Sequence, residues 1–86
     1  MKVMVTNPDA YFGMQGTRDK LLPAVFFEDL PEEDPIKRFC LGSPVDHNLV
    51  FIKGSDLHNE GVPNIYFCED SFYAFQVGTD VTVIEM

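Results

Sequence analysis

Residues 65–86 read Ile65-Tyr66-Phe67-Cys68-Glu69-Asp70-Ser71-Phe72-Tyr73-Ala74-Phe75-Gln76-Val77-Gly78-Thr79-Asp80-Val81-Thr82-Val83-Ile84-Glu85-Met86. Three runs rich in aromatic and β-branched residues (65–68, 72–77 and 81–86) are separated by Glu69-Asp70-Ser71 and Gly78-Thr79-Asp80, both built of turn residues. This pattern predicts three strands in succession, an antiparallel meander. A strand with one wet face alternates apolar and polar residues. Here Tyr73, Phe75 and Val77 oppose Phe72, Ala74 and Gln76, and Ile65 and Phe67 oppose Tyr66 and Cys68, so both faces call for a cover. A short helix suits one of them. The other is expected to meet residues 21–27, a second copy of the chain in a homodimer, or a partner.

Working outward, Leu49-Val50-Phe51-Ile52 reads as a strand that ends at Gly54. Residues 55–64 are polar, contain Gly61 and Pro63, and read as a long loop. Before them, Asp34-Pro35 carries a helix-start signature. The Asp34 side chain can cap free N–H groups, and Pro35 loses nothing at the first helical position. Ile36, Phe39 and Cys40 then share one face, and Gly42 is a natural stop, which predicts one short helix over residues 35–41. Residues 21–27 are apolar but contain Pro23, so they read as either an edge strand or a short extended segment. Residues 10–20 show no period and read as a loop that tucks in an aromatic or two. Residues 2–6 form a first short strand, closed by Asn7-Pro8-Asp9. The fold class that follows is α+β: a mostly antiparallel sheet of four to five strands with one short helix, in a single domain spanning residues 1–86.

Eighty-six residues with 45% hydrophobic content and eight Phe are enough for one core, though a chain this short buries only about 60–65% of its unfolded surface. The opening Met1-Lys2-Val3 and a strand running to the last residue lead us to expect a complete small protein. The apolar run Val3-Met4-Val5 is too short for a signal peptide, and nothing approaches the roughly 20 apolar residues of a membrane helix. Cys40 and Cys68 both sit among apolar neighbours. They are expected to be reduced, buried, small hydrophobes in a cytoplasmic protein.

Charge is the strongest functional signal. The formal net charge is -8, and no Lys or Arg follows Lys53. Such a chain repels phosphate, so direct nucleic-acid binding and docking on anionic lipid are both disfavoured. Glu28, Asp29, Glu32, Glu33 and Asp34 fall within seven residues, stiffened by Pro31 and Pro35. Glu69 and Asp70 form a second acidic pair, and Asp80 extends the set if its turn lies on the same edge. Like charges held together repel, and a fixed anionic ridge steers a basic partner.

Grooves that hold nucleic acid are lined with Lys and Arg placed for phosphate, and spaced carboxylates can occupy them by mimicry. The expectation is therefore a non-enzymatic binding protein whose partner is a basic protein or protein–nucleic acid complex. The profile is that of small phage or mobile-element inhibitors acting in the host cytoplasm, such as anti-CRISPR or anti-restriction proteins. The partner-binding residues would be Glu28, Asp29, Glu32, Glu33, Asp34, Glu69 and Asp70.

Two other classes compete. A structural or interaction subunit would dock through an apolar sheet face. A minimal metal-dependent enzyme would use Asp56, His58 and Glu60, which share one face if that stretch is extended. Against catalysis, Ser43, Ser55 and Ser71 stand in turn-like settings and none in a nucleophile elbow. Gly13-Met14-Gln15-Gly16 lacks the spacing of a phosphate-binding loop. Cys40, His47, His58 and Cys68 are zinc-type ligands without the tight pairs of a zinc site. No cofactor and no metal are expected.

Overall fold

The computed structural model describes residues 1–11, 13–39, 48–63 and 67–86, with the backbone alone at residue 39. Among the described residues, five strands form two antiparallel sheets. The first has the order β2-β1-β5, from β1 (Lys2–Val5), β2 (Leu21–Pro23) and β5 (Val81–Glu85). The second pairs β3 (Leu49–Lys53) with β4 (Phe72–Gln76). Among the described residues, two short helices, α1 (Pro35–Phe39) and α2 (Gly54–Asn59), accompany them, with single 3-10 turns at Gln15–Thr17 and Phe27–Asp29.

The period of two decides the inward faces. Val3 and Val5 of β1, Leu22 of β2, Val50 and Ile52 of β3, Phe75 of β4 and Val81 of β5 enter one core with Met14, Leu57, Val62 and Phe67. The sheets meet at an isolated antiparallel bridge between Val25 and Phe51. There Val25 N–H donates to Phe51 O at 3.0 Å, and Phe51 N–H donates to Val25 O at 2.8 Å. The segment that begins as β2 at the edge of one sheet thus continues onto the edge of the other. Pro23 sits on an edge strand, the first of the two settings the sequence allows it.

The C-terminal meander is corrected. Residues 65 and 66 lie outside the described residues, and Phe67 and Cys68 belong to a bend and a turn, not a strand. Strands β4 and β5 are consecutive, yet each pairs elsewhere, β4 with β3 and β5 with β1. Asp80 explains the divergence. Its Oδ2 accepts the Gln76 N–H at 2.9 Å, and its carbonyl accepts the N–H groups of Thr6 and Asn7, each at 3.0 Å. Those bonds draw the start of β5 toward the end of β1 and close off the hairpin ladder. Asp80 is thereby a structural residue.

The two-faced apolarity of β4 also has a local answer. Phe75 and Tyr73 stand opposite Val50 and Ile52. On the other face the Phe51 ring is covered by Phe27, with ring centroids 6.2 Å apart. Of the covers the sequence allows, residues 21–27 supply one through Phe27.

Residues 55–64, read as a loop, open with α2 instead. Gly54 ends β3 and also begins this helix; it is buried. Its N–H donates to Ser71 O at 2.8 Å, and Ser55 N–H donates to Glu69 O at 3.0 Å, so the first free donors of the helix are met by the following turn. The stretch looks polar because a helix this short buries one long side chain, Leu57. Cys68, expected inside, is exposed. It occupies the first position of the Cys68–Ser71 turn, closed by Ser71 N–H on Cys68 O at 3.1 Å. Of the predicted helix over residues 35–41, α1 realises 35–39; residues 40 and 41, and with them Cys40, lie outside the described residues.

The loop before β2 does tuck in an aromatic. Tyr11 donates its hydroxyl to Ala74 O at 2.6 Å and packs edge-on against Phe67, Tyr73 and Phe75. Burial, helped by the Asp80 carboxylate, raises its phenol above the usual 10.0. The folded state therefore holds this proton more tightly than the unfolded chain. That contribution to stability is complete below pH 10 and is lost as pH rises through the higher folded value. Thermal melts between pH 8 and 12 should show an alkaline decline that is shallower in Tyr11→Phe. At neutral pH the variant should lose about 1 kcal/mol with its hydrogen bond.

Candidate functional site: an acidic loop and an acidic turn at one cleft

The acidic segment is held by its own backbone. Asp29 N–H donates to Phe26 O, Leu30 N–H to Phe27 O, and Asp34 N–H to Pro31 O, all at 3.0–3.1 Å. Leu30 anchors the middle in the interior, while Glu28, Asp29, Glu32 and Glu33 stand exposed.

A cation from α1 fixes the arrangement. Lys37 Nζ donates to the carbonyls of Glu28 at 2.9 Å and Leu30 at 3.0 Å, and lies 3.2 Å from Glu32 Oε1. The Lys37 side chain is 18% exposed and that of Glu32 is 88% exposed. The carbonyl bonds therefore do most of the holding, since a pair this open to water contributes little.

Asp34 behaves differently from its neighbours. It is 7% exposed, and its Oδ1 accepts the Ile36 N–H at 2.9 Å, the N-cap geometry predicted for it. Its carbonyl accepts Arg38 N–H at 2.9 Å. Asp34→Ala should cost about 1 kcal/mol of stability, whereas Asp34→Ser, which can still cap, should cost a fraction of that. Chemical denaturation of the two variants side by side tests the assignment.

The second acidic element is the Cys68–Ser71 turn. Glu69 and Asp70 are its exposed central residues. The turn is pinned from three sides: by its own closing bond, by the two N–H donors of α2, and by the Tyr73 hydroxyl, which accepts Cys68 N–H at 2.8 Å.

The two elements meet. Asp34, Pro35 and Ile36 from the start of α1 line one cleft with Asp70, Ser71 and Phe72 from the turn and the start of β4. Its volume is about 160 Å³, below the range of drug-sized ligand sites, which begins at about 300 Å³. Of the residues singled out from sequence, Asp34 and Asp70 come together here. Glu28, Asp29, Glu32 and Glu33 sit on the adjoining loop, and Glu69 precedes Asp70 in its turn. Sequence reasoning missed Lys37 as the internal clamp, and Ile36, Ser71 and Phe72 as walls. The available signal for Lys37 was its position three residues after a predicted N-cap, where a helix turns its side chain back toward the preceding loop.

The Asp56, His58, Glu60 alignment required an extended stretch, and that requirement fails. Asp56 and His58 lie in α2 and Glu60 follows as its C-cap, and residues two apart on a helix do not face each other. His58 Nε2 is 2.8 Å from Phe67 O, to which it can only donate. Among the described residues no group of three His, Cys, Asp or Glu is placed to hold a metal ion. Nor is any helix among them long and apolar enough to cross a membrane. Comparison with known proteins finds no matching family model, curated protein or solved structure.

Proposed function

We propose that the protein is a non-enzymatic binding protein that occupies a basic, nucleic-acid-handling surface of another protein by presenting carboxylates in place of phosphates. The observation carrying this reading is the junction of two braced acidic elements at one cleft. Glu28, Asp29, Glu32 and Glu33 project from a loop clamped by Lys37, and Asp70 projects from a turn tied to α2. Bracing matters because a charged surface that is already ordered loses little conformational freedom on association. The -8 net charge supplies the long-range attraction. In this reading the partner is a host nuclease, restriction enzyme, CRISPR effector or polymerase, and the protein is a phage or mobile-element inhibitor.

The test replaces Glu28, Glu32 and Glu33 by Gln and Asp29 by Asn, leaving Asp34 in place as the helix cap. Partners captured by the wild type from bacterial lysate at low salt are purified and loaded with a labelled DNA duplex. The wild type should displace the duplex, with an apparent affinity that falls steeply from about 50 to 200 mM salt. The four-residue variant, still folded, should lose at least tenfold. Retention of full displacement by the variant overturns the reading.

A second reading has its own observation. Leu21 and Ile84 are each 51% exposed on the two outer strands of the β2-β1-β5 sheet, and Met86 follows at 80%. Apolar residues displayed there suit a subunit that docks on a larger protein or on a second copy of the chain. Such an association would survive 200 mM salt and would weaken in Leu21→Ser and Ile84→Ser.

A further inference from the structure

We propose that the outer edge of β5 receives an extended, basic segment of another protein, which joins the β2-β1-β5 sheet as a fourth strand. The inference uses none of the acids of the charge-mimic reading and goes beyond it.

An antiparallel ladder alternates, so a residue that bonds to the strand on one side turns no backbone group to the strand on the other. Val5 donates its N–H to Lys20 O at 3.1 Å and accepts Asp19 N–H on its carbonyl at 2.9 Å, so both its groups point to the β2 side. Val81 and Val83, which stand opposite Val5 and Val3, therefore point their backbone groups away from β1. The Val81 carbonyl is met by Gly78 N–H at 2.8 Å. Among the described residues nothing meets the N–H or the carbonyl of Val83, and β5 is the last strand of its sheet. A free donor and acceptor on an edge strand are what an added strand binds.

The other outer edges are closed by the chain itself. On β2, Pro23 has no N–H, and Val25 beyond it is bonded to Phe51 in both directions. The bonds from Gly54 N–H to Ser71 O and from Val77 N–H to Asn48 O place Phe72, Ala74 and Gln76 on the outer edge of β4. There the Tyr11 hydroxyl donates to Ala74 O, the Asp80 carboxylate accepts Gln76 N–H, and Asp80 N–H donates to Gln76 O. Proline, lysine and covering groups are the usual means of keeping an edge from pairing with another chain. Strand β5, Val81-Thr82-Val83-Ile84-Glu85, contains neither proline nor lysine. Thr82 and Ile84 flank the free pair and are exposed, Ile84 at 51%. Val3 faces Val83 while Lys2 faces Glu85, so Ile84 is an extra residue at a bulge. The bulge confines a regular added strand to the stretch centred on Val83, which suits a short segment.

Charge selects the occupant. Asp80 and Glu85 bound the strand, no Lys or Arg follows Lys53, and the chain carries -8. The three strands of this sheet contain one cation, Lys2, in the central strand. A second copy would bring another -8 to the same edge and be repelled. A β-branched run flanked by lysine or arginine is attracted instead.

The experiment is an NMR titration of the intact protein at low salt with three probes: acetyl-Lys-Thr-Val-Thr-Val-Lys-amide, the same peptide with both Lys replaced by Glu, and the basic peptide N-methylated at its four central residues. The basic peptide should shift the amide resonances of residues 81–85 along a saturating curve. At nine-tenths occupancy it should slow hydrogen exchange of the Val83 amide about tenfold. The acidic and the N-methylated peptides should each bind at least tenfold more weakly. Thr82→Lys and Ile84→Lys, which place a cation on the exposed edge, should each weaken the basic peptide several-fold, and the pair of variants keeps the test open if one fails to fold.

No binding of the basic peptide, or shifts confined to residues 28–34 and 69–70, overturns the edge assignment. Equal binding of the N-methylated peptide overturns strand addition, and equal binding of the acidic peptide overturns the basic occupant. Protection of the Val83 amide that grows with protein concentration in the absence of peptide shows a second copy on the edge and likewise overturns it.

Discussion

Gly54→Ala should destabilise the protein by about 3 kcal/mol, the upper end of what overpacking costs. A β-carbon at this position would meet the Cys68 carbonyl and lie 2.8 Å from its carbonyl carbon and 3.2 Å from the Glu69 Cα. These are backbone atoms, so no rotamer change relieves the clash. The junction cannot simply spread, because Gly54 N–H and Ser55 N–H both donate into the same turn. For a domain of this size the loss should lower the melting temperature by roughly 15 °C. Gly16→Ala, where nothing lies within 4 Å of the added carbon, should be close to neutral and serves as the control. Differential scanning calorimetry of both variants is the measurement. A Gly54→Ala melt within about 3 °C of wild type would show that the β3–α2 junction is not built as described.

Phe75→Ala should cost about 3–5 kcal/mol, the usual range for removing a buried aromatic ring. Phe75 is 1% exposed, faces Val50 across the β3–β4 ladder, and stacks edge-on against Tyr11 with centroids 5.0 Å apart. The cavity would open where both sheets share their core, and it would unseat Tyr11, whose hydroxyl ties the 10–20 loop to β4. A chain of 86 residues has a total stability of about 4–13 kcal/mol, so the variant should be partly or largely unfolded at 37 °C. Urea denaturation would show a midpoint displaced by about 1–5 M at unchanged slope, taking about 1–3 kcal/mol per molar for small proteins. Phe75→Leu, which refills most of the space, should recover more than half of the loss.

What the sequence disclosed depended on how local each determinant was. The edge strand at Pro23, the Asp34 cap and the strands at 49–52 and 72–77 rest on residues that act within a few positions, and they were legible. The pairing of the strands was not. Gly78-Thr79-Asp80 has the composition of a hairpin turn, yet Asp80 answers to Thr6 and Asn7, more than seventy residues away in the chain. Helix α2 was hidden because its stabilising bonds come from the carbonyls of residues 69 and 71 and not from its own composition. The acids were plain to see, but composition gave no warning that they serve different purposes. Asp34 caps a helix, Asp80 steers a strand, and Glu28, Asp29, Glu32 and Glu33 are left at the surface. The cleft itself joins residues 34–36 to 70–72, and no local pattern signals such a distant encounter.

The turn that displays Asp70 also receives the first N–H groups of α2 and shelters the bare α-carbon of Gly54. A molecule gripping Asp70 consequently braces the same joint whose failure unravels the domain. Occupancy should register as heat resistance: at a hundredfold excess over its dissociation constant, a ligand adds about 2.7 kcal/mol to the folded state. A library of cationic peptides could thus be sorted by a dye-based melting assay alone, long before any natural target is in hand.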